Sequence, residues 1–238
     1  MKAIKILLIS MLLNACTAAQ INQTLGDLGR TSGPKPLTAA EVAEGLKEAL
    51  IQGTNKGADI VSQADGYLNN PRIKIPFPPD VKRVEDRLRQ IGLGNEVDRF
   101  VTTLNRGAEE AAKEAKPIFV SAIRSMTIED AFGILRGEEN AATQYLQRTT
   151  SAQLKQRFLP VIQSALEKTN ATRYYTDLVS TYNKIPLVER VNPDLDDYAT
   201  DKAIEGLFYM IAIEEKNIRE NPGARATDLL KRVFGSNN

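Results

Sequence analysis

The sequence predicts an all-α fold, a single irregular multi-helix bundle crossed by one short extended proline-rich strap. Three observations carry that expectation. From residue 37 onward, apolar residues recur at three- and four-residue steps in almost every segment, the period that gathers them on one face of a helix. No convincing strand alternation and no internal repeat interrupts that pattern. The chain is 42% hydrophobic but only 6% aromatic and lacks Trp, so its core is expected to be built mostly of Leu, Ile, Val and Ala.

The first segment reads as an address. Lys2 and Lys5 precede the apolar run Ile6–Leu13, and Asn14-Ala15-Cys16 follows. A positive start, a short apolar run and small residues before a cut describe a secretory signal peptide over residues 1–15. The run is far shorter than the ~20 residues of a spanning helix. Leu13-Asn14-Ala15-Cys16 resembles a bacterial lipobox, which would make Cys16 the acylated first residue of the mature chain. The competing reading is an ordinary signal peptide cut nearby, leaving a stray thiol. Thr17, rather than Asp, follows Cys16, which favours the periplasmic face of the outer membrane. Without Lys2 and Lys5, the remaining basic residues fall one short of the 30 acidic ones, so attachment would rest on acyl chains and not on a basic surface. Residues 16–36, with three Gly and two Pro, read as a tether.

The helical domain is expected over residues 37–235, with 236–238 as a tail. Thr38 and Glu41 form a capping-box signature, and Val42, Leu46, Ala49, Leu50 and Gly53 open a helix expected to run to about Leu68. Ile73–Pro79 cannot be helical because of its prolines; Ile73, Ile75 and Phe77 alternate with Lys74 and Pro76 as a strap over the core. Asp80–Ile91 is a short amphipathic helix. Its cations Lys82, Arg83, Arg87 and Arg89 are interrupted by Glu85 and Asp86, so they read as a solvated face rather than a headgroup patch. Val97, Val101, Leu104, Ala108, Ala111, Ala115 and Ile118 make a heptad-like seam, with a kink expected at Pro117.

Met126–Thr150 reads as two short helices joined at Arg136-Gly137, with Asp130, Thr143, Tyr145 and Arg148 mixed into apolar positions. Separate helices follow at Leu154–Leu166, bent at Pro160, and around Tyr174, Leu178 and Tyr182. A late helix starts at Asp194–Asp197 and runs past Ile211, and a terminal one covers Ala226–Phe234.

Composition also excludes chemistry. The chain has no His and one Cys, which removes His-based acid–base catalysis, Ser-His and Cys-His nucleophiles, His-ligated metals, disulfides within the chain and Cys-cluster sites. Its 31 basic residues balance 30 acidic ones, leaving no field to recruit nucleic acid. Gly92-Leu93-Gly94 lacks the rest of a dinucleotide loop, and Asn192, Asp194 and Asp196 start a calcium-loop pattern that fails at Asp197 and Ala203. No cofactor and no metal is expected.

The candidate site is a set of polar residues in apolar settings: Asn105, Arg106, Glu109, Asp130, Thr143, Tyr145, Glu215 and Arg219. Buried carboxylates are costly unless paired, and Arg219 stands four residues after Glu215. Three readings compete: helix ends and packing, a ligand-binding cluster, or paired carboxylates acting as acid and base.

Several segments together resemble a bacterial family known as domain of unknown function 4197. They are Gly45–Leu50 with Gly53, Ile73–Pro79, Leu104-Asn105-Arg106, Ala108-Glu109, Asp130-Ala131, Ile134-Leu135 with Gly137, Ala141-Ala142-Thr143 with Tyr145, Gly206-Leu207-Phe208, Glu214-Glu215 and Ile218-Arg219. The resemblance spans about Leu37 to Gly235. It implies a secreted, largely helical bacterial domain and transfers no catalytic residue. The expected function is a non-enzymatic envelope lipoprotein acting on a protein partner or a small ligand. The alternatives are a hydrolase of envelope polymers using paired carboxylates, and a module that self-associates through the Val97–Ile118 seam.

Overall fold

The computed structural model describes residues 37–184, 190–192 and 194–221, apart from the side chains of Leu178, Thr181 and Tyr182. The expected signal peptide, Cys16, the tether and the helix Ala226–Phe234 lie outside the described residues. Residues from Thr38 onward group as one unit. Among the described residues there are eight α-helices and no strand: α1 (Ala39–Ser62), α2 (Lys82–Gln90), α3 (Gly94–Ala112), α4 (Ala115–Arg124), α5 (Ile128–Arg136), α6 (Ala141–Glu167), α7 (Ala171–Tyr182) and α8 (Leu195–Glu220).

Four long helices make the centre: α3 packs on α6, α6 on α8, and α8 on α1. The shorter α4 fills the space between α1 and α6, while α2, α5 and α7 lie at the margins. One contiguous core of Leu, Ile, Val and Ala runs through them, with Phe119 and Phe208 edge to face at 5.8 Å.

Thr38 starts α1 through the expected capping box: its hydroxyl accepts from the Glu41 N–H at 3.2 Å, and the Glu41 carboxylate accepts from the Thr38 N–H at 2.8 Å. The helix stops at Ser62, short of the expected Leu68, because the chain folds back over its own last turn. Gly66 makes that possible. A Cβ there would sit 2.4 Å from the Ile60 carbonyl oxygen, closer than any side chain tolerates. The strap is as predicted, with Ile73, Ile75 and Phe77 buried and Lys74 and Pro76 exposed.

Three expectations are corrected. The seam helix is two helices: α3 ends at Ala112 and α4 restarts at Ala115, so Pro117 stands in the first turn of α4, where its missing N–H has no intrahelical partner to lose. The second helix of Met126–Thr150 and the one at Leu154–Leu166 are a single 27-residue α6, which runs through Pro160 with that ring at the surface. The buried residues of α7 include Ala171, Tyr175 and Val179, whereas Tyr174, expected on the inner face, is 69% exposed. Every residue of the Val97–Ile118 seam except the half-buried Val101 is buried in the chain's own core.

Gly206 on α8 faces Tyr67 and the strap. A Cβ there would meet Tyr67 Cε1 at 2.7 Å and Ile73 Cβ at 3.1 Å. The helix propensity gained by Ala is about 1 kcal/mol, but Tyr67 is pinned by hydrogen bonds at its hydroxyl and its backbone N–H and cannot step back. We expect Gly206→Ala to lower stability by about 1–3 kcal/mol in urea unfolding. A variant as stable as the parent would show that this contact is loose.

Candidate functional site

The predicted polar residues are distributed over three places, and in each the chemistry is that of a clamp. Asn105 is fully buried on α3 and treats the strap as a neighbouring strand. Its side-chain oxygen accepts the Ile75 N–H, and its amide donates to the Ile75 carbonyl, both at 2.8 Å. One turn further along α3, the Glu109 carboxylate accepts the backbone N–H groups of Tyr67 and Leu68, each at 3.2 Å. Arg106 completes this group by donating to Glu109 at 2.6 Å and to Asp65 at 2.7 Å. Asp65 holds a left-handed φ of 70°, a conformation an Asp accepts more readily than a branched residue. Together these bonds fix the turn and the strap to α3.

The second place is the start of α6. Asn140 precedes this helix, yet its side chain does not cap it. Glu215 reaches across from α8 instead. Its carboxylate accepts the Ala142 N–H at 3.0 Å, the Thr143 N–H at 2.9 Å and the Thr143 hydroxyl at 2.8 Å. A negative charge at the amino end of a helix also suits the helix dipole. Arg219 pairs with Glu215 at 2.8 Å, as the spacing predicted, and donates to the Ile134 carbonyl at 3.0 Å, tying down the end of α5. The neighbouring carboxylate, Glu214, is buried too and pairs with Lys56 of α1 at 2.8 Å.

The third place holds Asp130, Tyr145 and Arg148. Asp130 is part of a capping box with Thr127 at the start of α5; the Thr127 hydroxyl and N–H hold its carboxyl below the ordinary value. Burial raises the Tyr145 hydroxyl, with Asp130 adding to the effect and Arg148 opposing it. The calcium-like residues are also turn and cap groups: Asp194 accepts the Asp197 N–H, Asn192 accepts the Asp194 N–H, and Asp196 accepts the Thr172 hydroxyl. Among the described residues no group of three or more His, Cys, Asp or Glu is placed to hold a metal ion.

The feature that the sequence pattern did not single out is an open groove of about 630 Å³ between α2, α3, α7 and the strap. One wall is aromatic: Phe77 and Phe100 lie 5.0 Å apart, and Phe100 stacks on Tyr175 at 6.3 Å. The rest is mainly Leu88, Leu93, Val97 and Ala171, with Tyr174 at the edge. Two threonines line it, but both hydroxyls are already used: Thr103 donates to the Arg99 carbonyl and Thr169 to the Leu166 carbonyl, each at 3.0 Å. Burial pushes the Tyr175 hydroxyl up to about 12. Glu96 and Arg99 supply the charges; both side chains are exposed and neither makes an ion pair among the described residues. The signal that could have located the groove was present: α2 has an amphipathic pattern yet no buried residue, so its apolar face is only partly covered.

Fold and site thus define an all-helical domain with internal polar clamps and one apolar groove. The chain belongs to the family described as protein of unknown function DUF4197, whose model matches residues 36–235. No curated protein and no solved structure matches.

Two predictions follow from the clamps and the tyrosines. Glu215→Ala leaves two N–H groups of α6 and the Arg219 guanidinium without their shared acceptor, and should cost about 3 kcal/mol in urea unfolding. A loss below about 1 kcal/mol would mean that water replaces the carboxylate at that helix end. Tyr67, Tyr175 and Tyr198 are all raised from the ordinary value of 10.0, chiefly by burial. Above that pH the unfolded chain gives up these protons while the folded chain keeps them, so stability falls as pH rises. Tyrosinate absorbance from these three should therefore appear together with loss of helical circular dichroism. If all seven tyrosines titrate while the helices persist, their burial is wrong.

Proposed function

We propose that this chain is a lipid-anchored protein of the bacterial envelope, held through Cys16 at the periplasmic face of the outer membrane. Its domain acts as a non-enzymatic binding module for an apolar ligand. The observation that carries this reading is the groove: its volume lies within the roughly 300–1,000 Å³ typical of ligand sites, its walls are mainly carbon, and its threonine hydroxyls already donate to backbone carbonyls. Away from Glu96 and Arg99, a polar group would find few partners to replace its hydrogen bonds to water, so the aromatic wall favours hydrocarbon.

Neither alternative draws comparable support. A hydrolase of envelope polymers needs a carboxylate free to give or take a proton, whereas Glu109 and Glu215 each accept several hydrogen bonds from backbone and arginine. Self-association needs the Val97–Ile118 seam, which the chain uses in its own core.

The test is binding of Nile red, a neutral apolar fluorophore, to the full chain and to Thr103→Trp. The new indole fills the groove while replacing a hydroxyl bonded only to its own helix. Expected is a drop in affinity of about tenfold or more with an unchanged melting temperature. Should Trp destabilise the fold, Leu93→Glu at the exposed edge serves the same purpose. Equal binding by parent and variants, or no binding at all, would overturn the proposal.

A further inference from the structure

We infer that the groove takes a single-chain zwitterionic amphiphile of the lysophospholipid type, its acyl chain along the Phe77–Phe100–Tyr175 wall and its headgroup spanning Arg99 and Glu96. This rests on the reading of the groove as a ligand site. The argument has three parts.

The first concerns the tail. Both threonine hydroxyls of the lining already donate to backbone carbonyls and can only accept, and the wall beside them is mainly Phe, Leu, Val and Ala, so a sugar or a peptide backbone would leave most of its hydrogen bonds unmet. An acyl chain has none to meet. The second concerns size. An open trough of about 630 Å³ suits one chain of a small ligand, whereas a two-chain lipid would leave much of one chain in water.

The third concerns the head. Arg99 and Glu96 both line the groove, both are exposed, and neither is paired among the described residues. They stand three residues apart on α3, which puts their Cβ atoms about 5–6 Å from each other on one side of the helix. A phosphoethanolamine head carries its phosphate and its ammonium two carbons apart, a similar span. The phosphate meets the guanidinium, which favours oxyanions, and the ammonium meets the carboxylate. A bare carboxylate head would gain Arg99 but suffer from Glu96.

The experiment displaces Nile red from the full chain with lysophosphatidylethanolamine, palmitate, or diacyl phosphatidylethanolamine vesicles, the first two kept below their micellar concentrations. The lysolipid is expected to displace the dye, with affinity rising about two- to fourfold per added methylene until the chain outgrows the groove. Glu96→Gln should weaken the lysolipid about threefold and tighten palmitate by a similar factor, while Arg99→Gln weakens both. A change in packing would move both ligands the same way. If Glu96→Gln moves the two ligands together, or neither, the headgroup assignment falls while the groove reading stands. Nile red bound but displaced by no single-chain lipid, or displaced only by vesicles, overturns the inference as a whole. Absence of Nile red binding instead removes the reading beneath it.

Discussion

A helix that begins in the interior carries N–H groups with no partner of their own, and α6 begins under α8. The carboxylate of Glu215 meets two of them, and Arg219 then balances its charge while holding the end of α5. Three helices are fixed relative to each other by one acidic group. Because α6 has 27 residues, it carries that placement some 40 Å, to Thr169 and Ala171 at the groove. One edge of the groove thus follows a helix whose other end is fixed by that capping interaction. Asn105 and Glu109 do the equivalent for irregular backbone, supplying acceptors and donors that a turn and a strap cannot find in themselves.

Much of this was legible in the chain. Period and proline placement mark the helices and the strap, and the alternation Ile73, Ile75, Phe77 even gives the buried face of the strap. Of the polar residues in apolar positions, Asn105, Glu109, Thr143 and Glu215 are buried, while Arg106 is exposed. Their partners were not legible. Glu215 is four residues from Arg219, which the spacing shows, but 73 and 72 residues from Ala142 and Thr143, which no local pattern can show. Asn140 precedes α6 without capping it, and the acceptor that the helix's N–H groups use instead comes from a distant helix.

The misplaced boundaries have the same origin. Local pattern favoured continuing α1 to Leu68, but Glu109 and Arg106 stabilise a turn at Asp65–Leu68 from a distance. Pro117 and Pro160 were both read as bends. Neither ends its helix: Pro117 stands in a first turn, and Pro160 stands on the solvent face of a long helix that continues past it, at the cost of one backbone hydrogen bond. Proline marks where a helix tolerates a lost hydrogen bond; tertiary contacts decide whether it also breaks there.

The two ends of the bundle differ in kind. Leu46 of α1 lies beside Ile134, Glu215 and Arg219, so the chain enters the domain at the clamped end. Tyr198, near the opposite end of α8, donates to the Pro76 carbonyl beside the groove. The span along α8 from Tyr198 to Arg219 is roughly 30 Å at 1.5 Å per residue. Polar interactions lock the end where α1 begins, and the apolar opening lies at the other. Its bordering helix, α2, has no buried residue and little to lose by shifting, whereas the facing wall of Phe77, Val97, Ala171 and Tyr175 is held in the core.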